Sequence, residues 1–217
     1  MFCKVPYTML GTKGRYRPYL EVVFSNKIIN QDSQKTFAMV DSGADHTVIP
    51  YSVGMLIGLE KPTEREKLNS VNGVGGSLSY IERKCRIYVI NKLKNKIYGF
   101  DETVWWIYPD TETQQKQQEL TKTLQLWLHY QEETPLNTDI RSAIDQEIKN
   151  TTDNLRIINS KLEIEVLLGR PFFDNFDFIQ FVHRDRSKEE RCYFNYNVSE
   201  KKIVETITIP QQTKITI

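Results

Sequence analysis

Apolar and polar positions along the chain fall into three textures. Between Tyr19 and about Tyr108, short runs rich in β-branched and aromatic residues alternate with polar or glycine-bearing stretches. Residues 19–24, 35–40, 78–81, 86–90 and 103–108 read as strands of an antiparallel sheet or barrel. Residues 52–59, after Pro50, read as a short helix. From about 109 to 161 glycine disappears, and Leu120, Leu124, Trp127 and Gln131 recur at helical steps with Leu128 beside them. After a break at 134–137 the steps resume through Ile140, Ile144, Ile148, Leu155 and Ile158, with Thr138 placed to cap the second helix. Strand texture returns over 162–168, 176–183, 192–196 and 203–209, with a hairpin turn expected at 197–201 and a further strand at 213–217. The pattern therefore predicts a mainly β fold, one domain over 1–217, with a helical hairpin inserted at about 110–160 and a β extension over 182–217.

Composition narrows the function classes. An apolar fraction of 39% with 11% aromatics in 217 residues supports a packed core. A net charge of +1 gives no general attraction to nucleic acid or to an anionic membrane, so neither is expected as a partner. No apolar run approaches the roughly 20 residues of a spanning helix, and residues 1–10 lack the pattern of a secretory leader. Cys3, Cys85 and Cys192 are scattered and odd in number, which fits free thiols in a reducing, cytoplasmic setting.

Candidate chemistry concentrates in Phe37-Ala38-Met39-Val40-Asp41-Ser42-Gly43-Ala44-Asp45-His46-Thr47-Val48-Ile49-Pro50. An apolar strand runs into an Asp-Ser-Gly-Ala turn and resumes as Thr-Val-Ile. A carboxylate at Asp41 can activate a water as general base, the Ser42 hydroxyl can lock the loop, and Gly43 permits a tight backbone approach. The same residues also make ordinary turn chemistry. Two further segments weigh on the choice: Gly73-Val74-Gly75-Gly76, a glycine-rich tip between extended arms, and Leu167-Leu168-Gly169-Arg170, which ends an apolar run. The first lacks the Lys-Ser/Thr of a phosphate loop. His46, His129 and His183 have no metal-ligand spacing with the cysteines, so neither a metal nor a cofactor is expected.

These three motifs, in this order, make the chain resemble the retroviral-type aspartic peptidases, the retropepsins and their cellular relatives. The resemblance covers about 19–108 and 162–181. It implies an acid-protease β-barrel with Asp41 as the catalytic aspartate. Ser42, Gly43 and Ala44 then complete the active-site loop, and Gly73, Val74, Gly75 and Gly76 form the substrate-binding flap. Leu167, Leu168 and Gly169 match the segment that brace the loop, and Asp45 and Arg170 match an ion pair beside it. The implied reaction is endopeptidase hydrolysis of a polypeptide. It needs two carboxylates sharing a proton and a water, yet the chain has one Asp-Ser-Gly and no second flap. A homodimer is therefore expected, with Asp41 contributed by each chain. The alternative is a proteolytically inactive dimerising or binding module of the same type.

The chain departs from the minimal family pattern in two places. Its helical insertion stands where the family has a short loop lining the substrate cleft, which makes a lid, a specificity wall or a docking surface for a protein partner the expected roles, with a helical pair that makes no active-site contact as the alternative. Its tail continues beyond the strand with which retroviral members end. Trp105 and Trp106 are expected in or beside the core, with a pocket wall as their other reading.

Overall fold

The computed structural model describes residues 3–9, 16–73, 76–91, 95–135, 139–183 and 192–209. In chain order the elements are β1 (Cys3–Pro6), β2 (Tyr19–Asn26), β3 (Gln31–Asp32), β4 (Thr36–Val40), β5 (Val48–Ile49) and α1 (Tyr51–Leu56). Then come β6 (Asn69–Gly73), β7 (Gly76–Asn91), β8 (Lys96–Ile107), α2 (Thr111–Glu133) and α3 (Asp139–Leu162). The chain continues through β9 (Leu167–Leu168), α4 (Arg170–Phe173), β10 (Phe176–His183), β11 (Cys192–Val198) and β12 (Glu205–Thr208). The fold is mainly β and contains a closed six-stranded barrel, β8-β5-β9-β4-β2-β7, which the β7–β8 pairing closes. Two compact units result: residues 1–61, 82–106 and 165–217 in one, and 62–81 and 107–164 in the other.

The first unit contains the barrel. Alternation along its strands turns Val22, Phe24, Ala38, Ile87, Val89, Phe100, Val104 and Trp106 inward, all without exposed surface. Closure leaves these strands without free edges among themselves. α1 packs its glycine on the indole: a Cβ at Gly54 would lie 2.2 Å from Trp106 Nε1. Gly58, at φ +63°, turns the chain out of α1. That is why the helix ends at Leu56, short of residue 59. A three-stranded sheet in the order β1-β11-β10 belongs to the same unit. Phe172, Phe176, Tyr196 and Phe194 form its aromatic seam, with ring centroids 5.2, 5.3 and 6.0 Å apart in sequence.

The second unit contains the β6–β7 hairpin, paired from Asn69↔Tyr80 to Gly73↔Gly76, and the two long helices. Asp110 caps α2 by accepting the Thr113 N–H at 2.8 Å. Arg141 donates to the Thr134 carbonyl at 3.1 Å, covering the orphan end of α2. The inward stripes are half-buried Leu120, Leu124, Trp127 and Gln131 on α2, and buried Ile144, Thr151 and Leu162 with half-buried Ile148, Leu155 and Ile158 on α3. Leu128 and Ile140, at 42% and 67% exposed, lie off those stripes.

Several local expectations need correction. Residues 162–168 are not one strand, because Leu162 completes the inward stripe of α3 and only Leu167–Leu168 pair as β9. Residues 78–81 and 86–90 belong to one strand, β7; the polar Glu82-Arg83-Lys84 run does not break it, and Arg83 Nε donates to Glu60 O at 2.7 Å. β8 begins at Lys96, well before the expected 103. Residues 197–201 make no hairpin: a 3-10 turn over Glu200–Lys202 carries the chain from β11 to β12, which pairs with β8 in the other sheet. β1 is an element the sequence pattern did not predict. Thr138 and the strand expected at 213–217 lie outside the described residues, as do Val74 and Gly75.

Candidate active site

Asp41 stands where β4 leaves the barrel. Parallel pairing of β4 with β9, Met39↔Leu167 and Val40↔Leu168, delivers it beside Gly169. Asp41 N donates to Leu168 O at 3.0 Å and Met39 N to Val166 O at 2.9 Å along one edge of the strand end, while Val40 N donates to Pro18 O at 2.7 Å on the other. Gly43 N donates to Asp41 Oδ1 at 2.9 Å and Ala44 N to Asp41 O at 3.2 Å, which folds the turn back on its own carboxylate. Arg170 N donates to Ala44 O at 2.8 Å and closes the loop from the other side.

Gly169 is required by this approach. A Cβ there would lie 2.3 Å from His46 O, 2.4 Å from His46 C and 2.9 Å from Ala44 O, all backbone atoms that cannot rotate away. Arg170 and Asp45 form an ion pair, both side chains mostly exposed. Ser42 and Gly43 are exposed and Asp41 is half-buried. The structure thus brings Asp41, Ser42, Gly43, Ala44, Asp45, Gly169 and Arg170 together in the first unit. Gly73 and Gly76 pair across the hairpin tip in the second.

Asp41 opens onto a depression of roughly 350 Å³ lined also by Tyr7, Arg17, Pro18, Met39, Ser42 and Phe181. It is the only carboxylate among the described residues that line it. Arg17 is steadied from the side by Glu165 at 3.4 Å, and Tyr19 hydroxyl also bonds to Glu165. Burial, with the Glu165 carboxylate adding to it, pushes the Tyr19 phenol up to about 12. Among the described residues no group of three or more His, Cys, Asp or Glu is placed to hold a metal ion.

Sequence reasoning missed the layer behind the loop. Thr47, fully buried, takes the Trp105 N–H on its carbonyl at 2.8 Å and the Gly169 N–H on its hydroxyl at 3.3 Å. Its hydroxyl donates to Glu102 Oε1. His46 stacks on Trp105 at 3.9 Å and 17°, while Trp106 is wholly in the core and donates to Tyr51 O at 3.2 Å. No local signal marked it, because Glu102 stands between polar Asp101 and Thr103 and meets Thr47 only through the fold.

No family model matches the chain, and neither does any curated protein or solved structure. No described helix is long and apolar enough to cross a membrane.

Proposed function

We propose that this chain is a retropepsin-like aspartic endopeptidase that works as a homodimer, each copy supplying one Asp41 carboxylate. The observation that carries the reading is a lone, half-buried carboxylate in a turn braced through Leu168 and Gly169, open to a depression that holds no second acid among its described lining residues. One carboxylate can orient a water but cannot also protonate the peptide oxygen. A second copy related by a two-fold axis supplies the missing acid.

In the dimer, like charges at close range keep one of the two carboxyls protonated. The ionised one takes a proton from the water as its oxygen attacks the peptide carbonyl carbon, and the protonated one gives its proton to the carbonyl oxygen. The diol then collapses: the C–N bond breaks, the amine leaves with a proton from the carboxyl that first accepted one, and a diol hydroxyl gives its proton back to the other carboxylate as the new C=O forms. The two acids titrate as a pair. Ser42 and Gly43 are exposed beside Asp41, which leaves room for a second loop to approach in the proposed dimer.

The test is incubation of purified protein with a denatured protein mixture, with and without a transition-state-mimicking aspartic peptidase inhibitor, beside Asp41→Asn. Inhibitor-sensitive cleavage that disappears in a folded Asp41→Asn chain is expected. Absence of cleavage, with dimers formed, would favour an inactive dimerising module. Full activity in a monomer would rule out the shared site.

A further inference from the structure

The acid behind the loop invites a specific role. Glu102 lies on β8 with Oε1 bonded to the Thr47 hydroxyl and Oε2 buried without a hydrogen-bond partner among the described residues. Thr47 in turn receives Gly169 N–H, the residue on which the Asp41 turn is braced. The donors run one way: Gly169 N–H to Thr47 Oγ1, and Thr47 O–H to the Glu102 carboxylate. An ionised acceptor at the end strengthens both bonds, because charge-assisted hydrogen bonds are roughly twice as strong as neutral ones and polarise their neighbours. A protonated Glu102 leaves only a neutral carbonyl to accept.

We propose that Glu102 is a positioning residue for the Asp41 loop, its ionised carboxylate anchoring Thr47 and through it Gly169, so that proton uptake loosens the loop and slows cleavage. This rests on the peptidase reading given above. Burial raises the Glu102 pKa to about 7, the Thr47 bond opposing and the Asp174 charge adding, which sets the change in the neutral range. The other charged and titratable groups around it are Lys27, Lys84, Arg86 and Asp101, which line the same depression, and Cys85 on β7, whose thiol burial pushes up and keeps neutral. Neither Asp101 nor Arg86 competes for the anchor, since Arg86 holds Asp101 in a two-bond pair at 2.6 and 3.0 Å.

The experiment follows two readouts from pH 5 to 8: the backbone amide resonance of Gly169 and kcat/KM on a cleaved peptide. Wild type, Glu102→Gln, Thr47→Val and Thr47→Ser are compared. The Gly169 amide of the wild type and of Thr47→Ser should titrate near neutrality, and that of Glu102→Gln and Thr47→Val should not. The wild-type to Glu102→Gln ratio of kcat/KM should rise by about fivefold across the range, as loss of charge assistance on one hydrogen bond implies. Thr47→Val, which keeps the side-chain shape, carries the test if Glu102→Gln does not fold. A Gly169 amide that ignores pH in the wild type, or a rate ratio that stays flat, overturns the proposal. If the amide titrates as expected while no chain cleaves peptide at any pH, the anchor stands and the peptidase reading falls.

Discussion

Replacing Gly169 by alanine tests how tightly the Asp41 turn is braced. The new Cβ would stand 2.3 and 2.4 Å from His46 backbone atoms and 2.9 Å from Ala44 O, about an ångström inside ordinary van der Waals contact. No side-chain rotamer relieves this, so the Ala44–His46 segment and the Leu168–Arg170 segment must separate. Separation breaks the 2.8 Å bond from Arg170 N to Ala44 O and the weaker bond from Gly169 N to Thr47 Oγ1. Overpacking costs about 1–3 kcal/mol and each lost hydrogen bond about 1 kcal/mol, so a loss of roughly 3–5 kcal/mol is expected. Urea unfolding at constant m-value reads it. Gly43→Ala is the control. Its Cβ meets only Asp41 Oδ1, at 3.2 Å, on an exposed turn, so stability should change by less than about 1 kcal/mol while cleavage falls through the displaced carboxylate. A Gly169→Ala chain within about 1 kcal/mol of wild type would refute the brace.

Other expectations follow from the same structure. The Glu102 pKa is raised from the ordinary 4.5 to about 7, so the folded state binds the extra proton and stability falls as pH rises between those values. The shift corresponds to about 3 kcal/mol, and Glu102→Gln should remove that slope in urea unfolding between pH 5 and 8; identical slopes in the two proteins would contradict it. Glu205 accepts from Tyr88 hydroxyl at 2.6 Å and Arg86 at 2.8 Å, with Lys27 at 3.5 Å, and so clamps β12 onto β7. These bonds, Tyr88 first, lower its pKa, so the clamp is complete above the usual carboxylate range and is lost as pH falls through the lowered value. Glu205→Ala should cost about 1 kcal/mol and raise amide exchange over Glu205–Thr208, whereas unchanged exchange there would show that the clamp is idle.

The sequence made the site loop more legible than the sheet edges. Asp41-Ser42-Gly43-Ala44 and Leu168-Gly169-Arg170 are local signals, and pairing of β4 with β9 places them side by side. The helical stripes of α2 and α3 were readable because 3.6-residue periodicity over more than twenty residues outweighs local exceptions. β7 was read as two pieces because Glu82, Arg83 and Lys84 imitate a turn, although alternate positions of a strand tolerate charge on the solvent side. β12 was readable as a strand, but its partner was not: nothing local in Glu205–Thr208 says that it pairs with β8 rather than β11. The Thr47–Glu102 layer was hidden for the same reason, since its residues stand 55 positions apart and meet only through barrel closure.

The central claim is that two Asp41 carboxylates from different chains share one reaction, and subunit mixing tests it most directly. Wild-type and Asp41→Asn chains are equilibrated at fixed total concentration above the dimerisation range, and cleavage is followed as the wild-type fraction varies. A shared site predicts activity proportional to the square of that fraction, about a quarter at equal parts, because mixed dimers hold one carboxylate. Activity that falls in simple proportion, to about a half, would mean that each chain cleaves with its own residues, and the two-chain site would be wrong.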